Sequence, residues 1–138
     1  MTHAIAYLAA LLVFGVVDAL WLWIMSRRLY RPVLGEILLT DLRMTPALLF
    51  YFTFPIGLTI FSIMPAVAMN SSIAAIGYGA LFGAFAYATY DLTNYATLRK
   101  WTLQLTIVDL AYGVTVASLT SLAAFWAVKA WGGTTSIT

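Results

Sequence analysis

The sequence predicts an all-α transmembrane four-helix bundle with a short amphipathic interfacial helix between the first and second spans. Three observations carry this. The chain is 63% hydrophobic and only 9% charged, whereas soluble domains carry roughly 25% charged residues. Its mean hydropathy is +0.94, and lipid is the solvent in which so much apolar surface needs no burial. Four apolar stretches reach the ~20 residues with which a helix crosses the hydrocarbon core at ~1.5 Å rise per residue. Backbone polar groups cannot stay unpaired in lipid, so such runs form helices, and no alternating short strands of a β-barrel are visible. By length, residues 1–138 make a single membrane domain.

The first span is expected over residues 4–26. It differs from an export signal because Arg27 and Arg28 follow the apolar run instead of leading it. The long connection after it contains Pro32, which suits a helix start. There Leu34, Ile37, Leu38 and Leu42 share one helical face and Glu36, Thr40 and Arg43 the other, the pattern of a helix lying on the membrane surface. The second span covers 46–68, with Pro55 and Pro65 expected to bend it. Met69 to Ser72 form a tight turn whose Asn or Ser caps the next helix. The third span covers 73–98, Arg99 and Lys100 mark a turn, and the fourth covers 102–128.

Orientation follows from the basic residues. Arg27, Arg28, Arg31, Arg43, Arg99 and Lys100 fall in the first and third connections, and only Lys129 lies opposite. The positive-inside rule then places both basic loops in the cytoplasm and both termini on the periplasmic or extracellular side of a bacterial inner membrane. Tyr30, Trp101, Trp126 and Trp131 fall where an aromatic belt is expected.

The residues that draw attention are three aspartates inside the spans: Asp18, Asp91 and Asp109. A charge at mid-membrane costs about 2.5–3.5 kcal/mol on insertion scales, so intramembrane acids mark sites or pathways by default. The competing reading is a polar contact that only fixes helix pairing. Counted from the span ends, all three lie roughly 10–12 Å inside the cytoplasmic boundary. Tyr87, Tyr90, Tyr112 and Asn94 share faces with them and are the expected hydrogen-bond partners. Arg27, Arg28, Arg31 and Arg99 are candidates for countercharge or headgroup contact. Gly15, Gly79, Gly83 and Gly113 are candidates for close helix packing, Gly79 and Gly83 as a GxxxG pair that also offers a homodimer face.

Other patterns are weaker. Gly77-Tyr78-Gly79 opens an ordinary span, not the re-entrant loop that a selectivity filter needs. With no cysteine and only His3, a conventional histidine-rich metal or haem site in one chain is disfavoured, and no metal ligand set is assigned. Ser118, Thr120 and Ser121 have no base beside them in sequence and read as groups that satisfy the helix backbone. No nucleophile–base pair is evident, so no catalytic residue is assigned and no cofactor is indicated. No basic stripe suggests nucleic-acid binding.

The chain also resembles an uncharacterised bacterial family of small four-span membrane proteins, domain of unknown function 2177. The residues that carry the resemblance are Asp18-Ala19-Leu20-Trp21 with Tyr30 and Gly35, then Ala47 to Tyr51 with Gly57 and Phe61. They continue with Gly79, Gly83, the segment Ala86-Tyr87-Ala88-Thr89-Tyr90-Asp91-Leu92-Thr93-Asn94, Trp101, Asp109 and Gly113. The resemblance implies the four-span fold and places the aspartates in a family pattern. It implies no activity.

Three functions fit the sequence. One is a cytoplasm-side polar pocket that binds or conducts a small cation, proton or polar ligand. Another is an accessory subunit of a larger membrane complex, packed beside pigments or quinones. The third is a lipid-processing enzyme acting at the headgroups.

Overall fold

The computed structural model describes residues 1–132. They form four long antiparallel helices: α1 (Thr2–Leu34), α2 (Met44–Ala68), α3 (Ser72–Thr97) and α4 (Leu103–Trp131). All four are long and apolar enough to cross a bilayer, and the described residues contain no strand. The protein is a multi-pass membrane protein. Each helix packs on its neighbours in chain order, and α4 returns to α1 to close the ring. The closest pair is α3 with α4. Outside, Leu12, Val16, Ile60, Phe85 and Leu119 stand exposed, as lipid-facing side chains should.

The core is sequence-legible at the ends of the helices. Asn70 sits at φ 51°, the left-handed position that closes a helix and that Asn tolerates. The amide of Ser71 bonds back to the Ala66 carbonyl and that of Asn70 to Val67, each at 3.0 Å. Ser71 then caps α3, its Oγ accepting from the Ala74 amide at 3.1 Å. Thr102 caps α4 in the same way through Leu105.

Two helices contain a wide turn that the sequence reading did not anticipate. In α1, residues Ser26–Tyr30 make a π turn in which the Arg31 amide reaches the Ser26 carbonyl. In α2, Thr59–Ile63 make another, lying between Pro55 and Pro65. Pro55 has no N–H to donate, and Thr59 Oγ1 donates to its carbonyl at 2.8 Å.

The separate amphipathic surface helix is a correction. Its only helical part is one turn, Arg31–Leu34, which continues α1 through the π turn. Residues 35–43 are turns and irregular chain, with Ile37, Leu38 and Leu42 exposed. Gly35 and the absence of a capping side chain let the helix stop before its polar face is built.

Candidate functional site

All four helices contribute to one polar layer. Asp18 of α1, Asp91 of α3 and Asp109 of α4 are buried, at 6%, 0% and 7% exposure. Asp109 neighbours both of the others, Asp91 most directly. The layer lies between two apolar clusters. On one side is the main core with Phe14, Phe54, Leu58 and Val116. On the other is a smaller cluster of Leu29, Leu34, Trp101 and Leu105. Along α1 the order is Phe14, Asp18, Leu29, and along α4 it is Leu105, Asp109, Val116.

The three carboxyls are not equivalent. Asp18 accepts two tyrosine hydroxyls, Tyr51 Oη to Oδ2 at 2.5 Å and Tyr112 Oη to Oδ1 at 2.9 Å. Asp109 accepts one, from Tyr30 Oη to Oδ1 at 2.6 Å. The same Tyr30 oxygen accepts from Trp21 Nε1 at 2.9 Å. Neither oxygen of Asp91 accepts from a hydroxyl or N–H group among the described residues, and its side-chain hydrogen-bond neighbour is a second carboxyl. Asp109 is its carboxyl neighbour. A hydrogen bond to a charged group contributes about 1.5–3 kcal/mol, and a buried polar group without one costs a comparable amount. Asp18 is therefore held by two hydroxyl donors, while Asp91 has the Asp109 carboxyl beside it, a pair that can bond only by sharing a proton.

Tyr112 is where the sequence reading placed it. Tyr87 serves packing instead of bonding a carboxyl: its ring fills the space over Gly113, where a Cβ would collide with it, and stands edge-on to Tyr112. Tyr90 is 57% exposed and meets Trp101 edge to face. Asn94 is half-buried one turn further on. Neither donates to a carboxyl among the described residues.

The arginines are also corrected. Arg27, Arg28, Arg31 and Arg99 are exposed, and none forms an ion pair with an aspartate among the described residues. Arg27 lies over the Trp23 ring, 5.5 Å from its centroid. The ion pair at this end is Lys100 with Glu36, 3.4 Å apart and solvent-facing. The exposed arginines thus stand away from the carboxyl layer, which has no countercharge among the described residues.

Of the glycines, Gly79 and Gly83 bring α3 against α4. A Cβ on Gly79 would lie 2.8 Å from the Ala117 carbonyl oxygen, and one on Gly83 would strike that of Gly113. Their face is buried within the chain, between α3 and α4. Gly15 has nothing within 4 Å of a Cβ and mediates no close approach.

Three partners escaped the sequence reading: Tyr51 and the inward turn of Tyr30 at the carboxyl layer, and Ser62 in the main core. Ser62 Oγ and Ser121 Oγ lie 2.5 Å apart, joining α2 to α4. Tyr30 and Trp101 had been assigned to the aromatic belt, yet Trp101 is 6% exposed, its Nε1 donating to Thr106 Oγ1 at 3.1 Å. Ser118 bonds the Val114 carbonyl as expected. Among the described residues no group of acidic, histidine or cysteine side chains is placed to hold a metal ion. An open groove of about 580 Å³ lies between α2 and α3, lined by Leu49, Phe50, Phe54, Gly57, Phe61 and Phe82 and holding no carboxyl.

The chain matches the family described as "Predicted membrane protein (DUF2177)" over residues 3–126. No curated protein and no solved structure is detectably similar to it.

Proposed function

The chain belongs to the DUF2177 family of predicted membrane proteins, and we propose that its carboxyl layer takes up a proton or a small monovalent cation at Asp91 and Asp109. The observation that carries this is the state of Asp91, fully buried with no donor to either oxygen among the described residues and a second carboxyl, Asp109, beside it. A site that costs stability is retained where function needs it. The occupant is small, because Asp91 is fully enclosed. A multivalent ion is disfavoured by the lack of a converging ligand set. Asp109 shares the occupant, Asp18 fixes the geometry through Tyr51 and Tyr112, and Trp21 supports Tyr30 from the side. In this reading the protein sits in a bacterial inner membrane with its basic end in the cytoplasm.

Trp21 supplies the readout, since it touches the layer directly. In a chain whose other four tryptophans are replaced by Phe, its emission in vesicles is expected to change on titrating pH, Li⁺, Na⁺ or K⁺. Asp91→Asn abolishes the change and Arg99→Gln does not. An unaltered response in Asp91→Asn contradicts the proposal.

The aromatic groove between α2 and α3 supports a second reading, an accessory subunit with a helix or quinone seated there. A stoichiometric partner retained in mild detergent, and lost in Gly57→Leu, would favour it. A chain that purifies alone argues against it.

A further inference from the structure

We infer that Tyr30 is the gate residue of the carboxyl layer and that the occupant enters past it from the basic end of the bundle. The inference rests on the proposed uptake at Asp91. Asp91 is sealed on both sides, so any occupant must pass one seal. The seal toward the main core is made by Phe14, Phe54, Leu58 and Val116. The seal toward the basic end is built differently. It consists of Leu29 and Leu34 against Trp101 and Leu105, and both leucines lie on the last two turns of α1. Leu29 lies within the π turn and Leu34 at the end of the single α turn after it, which leads into the irregular residues 35–43.

One bond crosses from this segment to the layer, Tyr30 Oη to Asp109. The π turn is what aims it. A wide turn inserts one extra residue, and this rotates everything after it by about 100° relative to an unbroken α-helix. Tyr30 is the last residue of the turn, and Leu29 within it and Leu34 after it are both buried. Tyr30 thus closes the layer by a hydrogen bond it makes only in this register, with Trp21 Nε1 holding its oxygen from behind. Breaking the contact to Asp109 frees the end of α1 to move on the wide turn, and Asp91 then faces the entry. The titratable groups around that passage are Asp109 and Tyr112 from α4, Asp18 and Tyr30 from α1, Tyr51 from α2, and Tyr87 and Tyr90 beside Asp91 on α3.

The chain contains no cysteine, so one introduced as Asp91→Cys is the only thiol. Its modification by a membrane-impermeant thiol reagent is measured in vesicles of each orientation. Adding Tyr30→Phe raises the rate roughly tenfold, the population shift that losing one hydrogen bond to a carboxylate brings. It does so only with reagent on the basic-loop side, while Tyr78→Phe, at an exposed tyrosine outside the layer, leaves the rate unchanged. A second measurement needs no change at position 91: a water-soluble carbodiimide applied to the otherwise native chain, with the label on Asp91 and Asp109 read by mass spectrometry with and without Tyr30→Phe. An unchanged rate in Tyr30→Phe, an equal rise in Tyr78→Phe, or entry from the far side overturns the gate. Failure of the gate with an intact ion or pH response leaves the uptake standing. Tyr30-dependent labelling without any such response refutes the uptake alone.

Discussion

Trp21 lies flat on Tyr112, ring centroids 4.0 Å apart and planes 4° from parallel. The stack joins the two halves of the carboxyl layer, because Tyr112 donates to Asp18 while the Trp21 N–H reaches Tyr30 and through it Asp109. Trp21→Phe keeps a ring on Tyr112 but removes the donor, and is expected to lower stability by about 1 kcal/mol. Trp21→Leu loses the stack as well, an additional ~0.5–1.5 kcal/mol. Thermal unfolding in mild detergent separates the two.

Tyr51→Phe and Tyr112→Phe each remove one donor from Asp18. Each is expected to cost about 1.5–3 kcal/mol, the range for a hydrogen bond to a charged group. Because both act on one carboxylate, the double variant should depart from the sum of the singles. Denaturant unfolding of the four chains measures this.

Much of this layer was legible in the sequence, and the reason for what was not is physical. Asp18, Asp91 and Asp109 announce themselves because charge in lipid is costly at any rotation of the helix. Gly79, Gly83 and Gly113 show as small residues at helical spacing. Tyr51 carries no such signal, since a tyrosine on an apolar helix reads equally as lipid-facing, and only the position of α2 against α1 turns its hydroxyl to Asp18. Tyr30 was hidden by the π turn, which shifts the helical register after Ser26 and which no local composition marks. Gly15 misled for the opposite reason, having the residue type of a packing contact without a neighbour to make one.

The glycines give a direct contrast. Gly113→Ala and Gly83→Ala place a methyl group into Tyr87 and into the backbone of α4 respectively, and overpacking of this kind costs about 1–3 kcal/mol. Gly15→Ala meets open space and is expected to be neutral or to stabilise α1 by up to about 1 kcal/mol. Unfolding midpoints of the three variants check the order.

Ser62 and Ser121 form a buried hydroxyl pair between α2 and α4. Replacing either with Ala strands the other, although Ser62 also reaches the Ala75 carbonyl at 3.3 Å. The expected loss is about 0.6–1.7 kcal/mol, the range for hydrogen bonds between membrane helices. It should be measured without added ligand, because the pair lies outside the carboxyl layer.

The central claim is that Asp18 is structural while Asp91 is kept for what it binds. The unfolding midpoint of Asp91→Asn, measured beside wild type and Asp18→Asn across pH and monovalent cation, tests it most directly. Bound ligand stabilises the folded state by about 2.7 kcal/mol at a hundredfold excess over Kd. Wild type and, from a lower starting point, Asp18→Asn should therefore gain stability with the occupant. Asp91→Asn should start at or above wild type and gain nothing. An Asp91→Asn chain that starts well below wild type, or that responds as wild type does, would contradict the account.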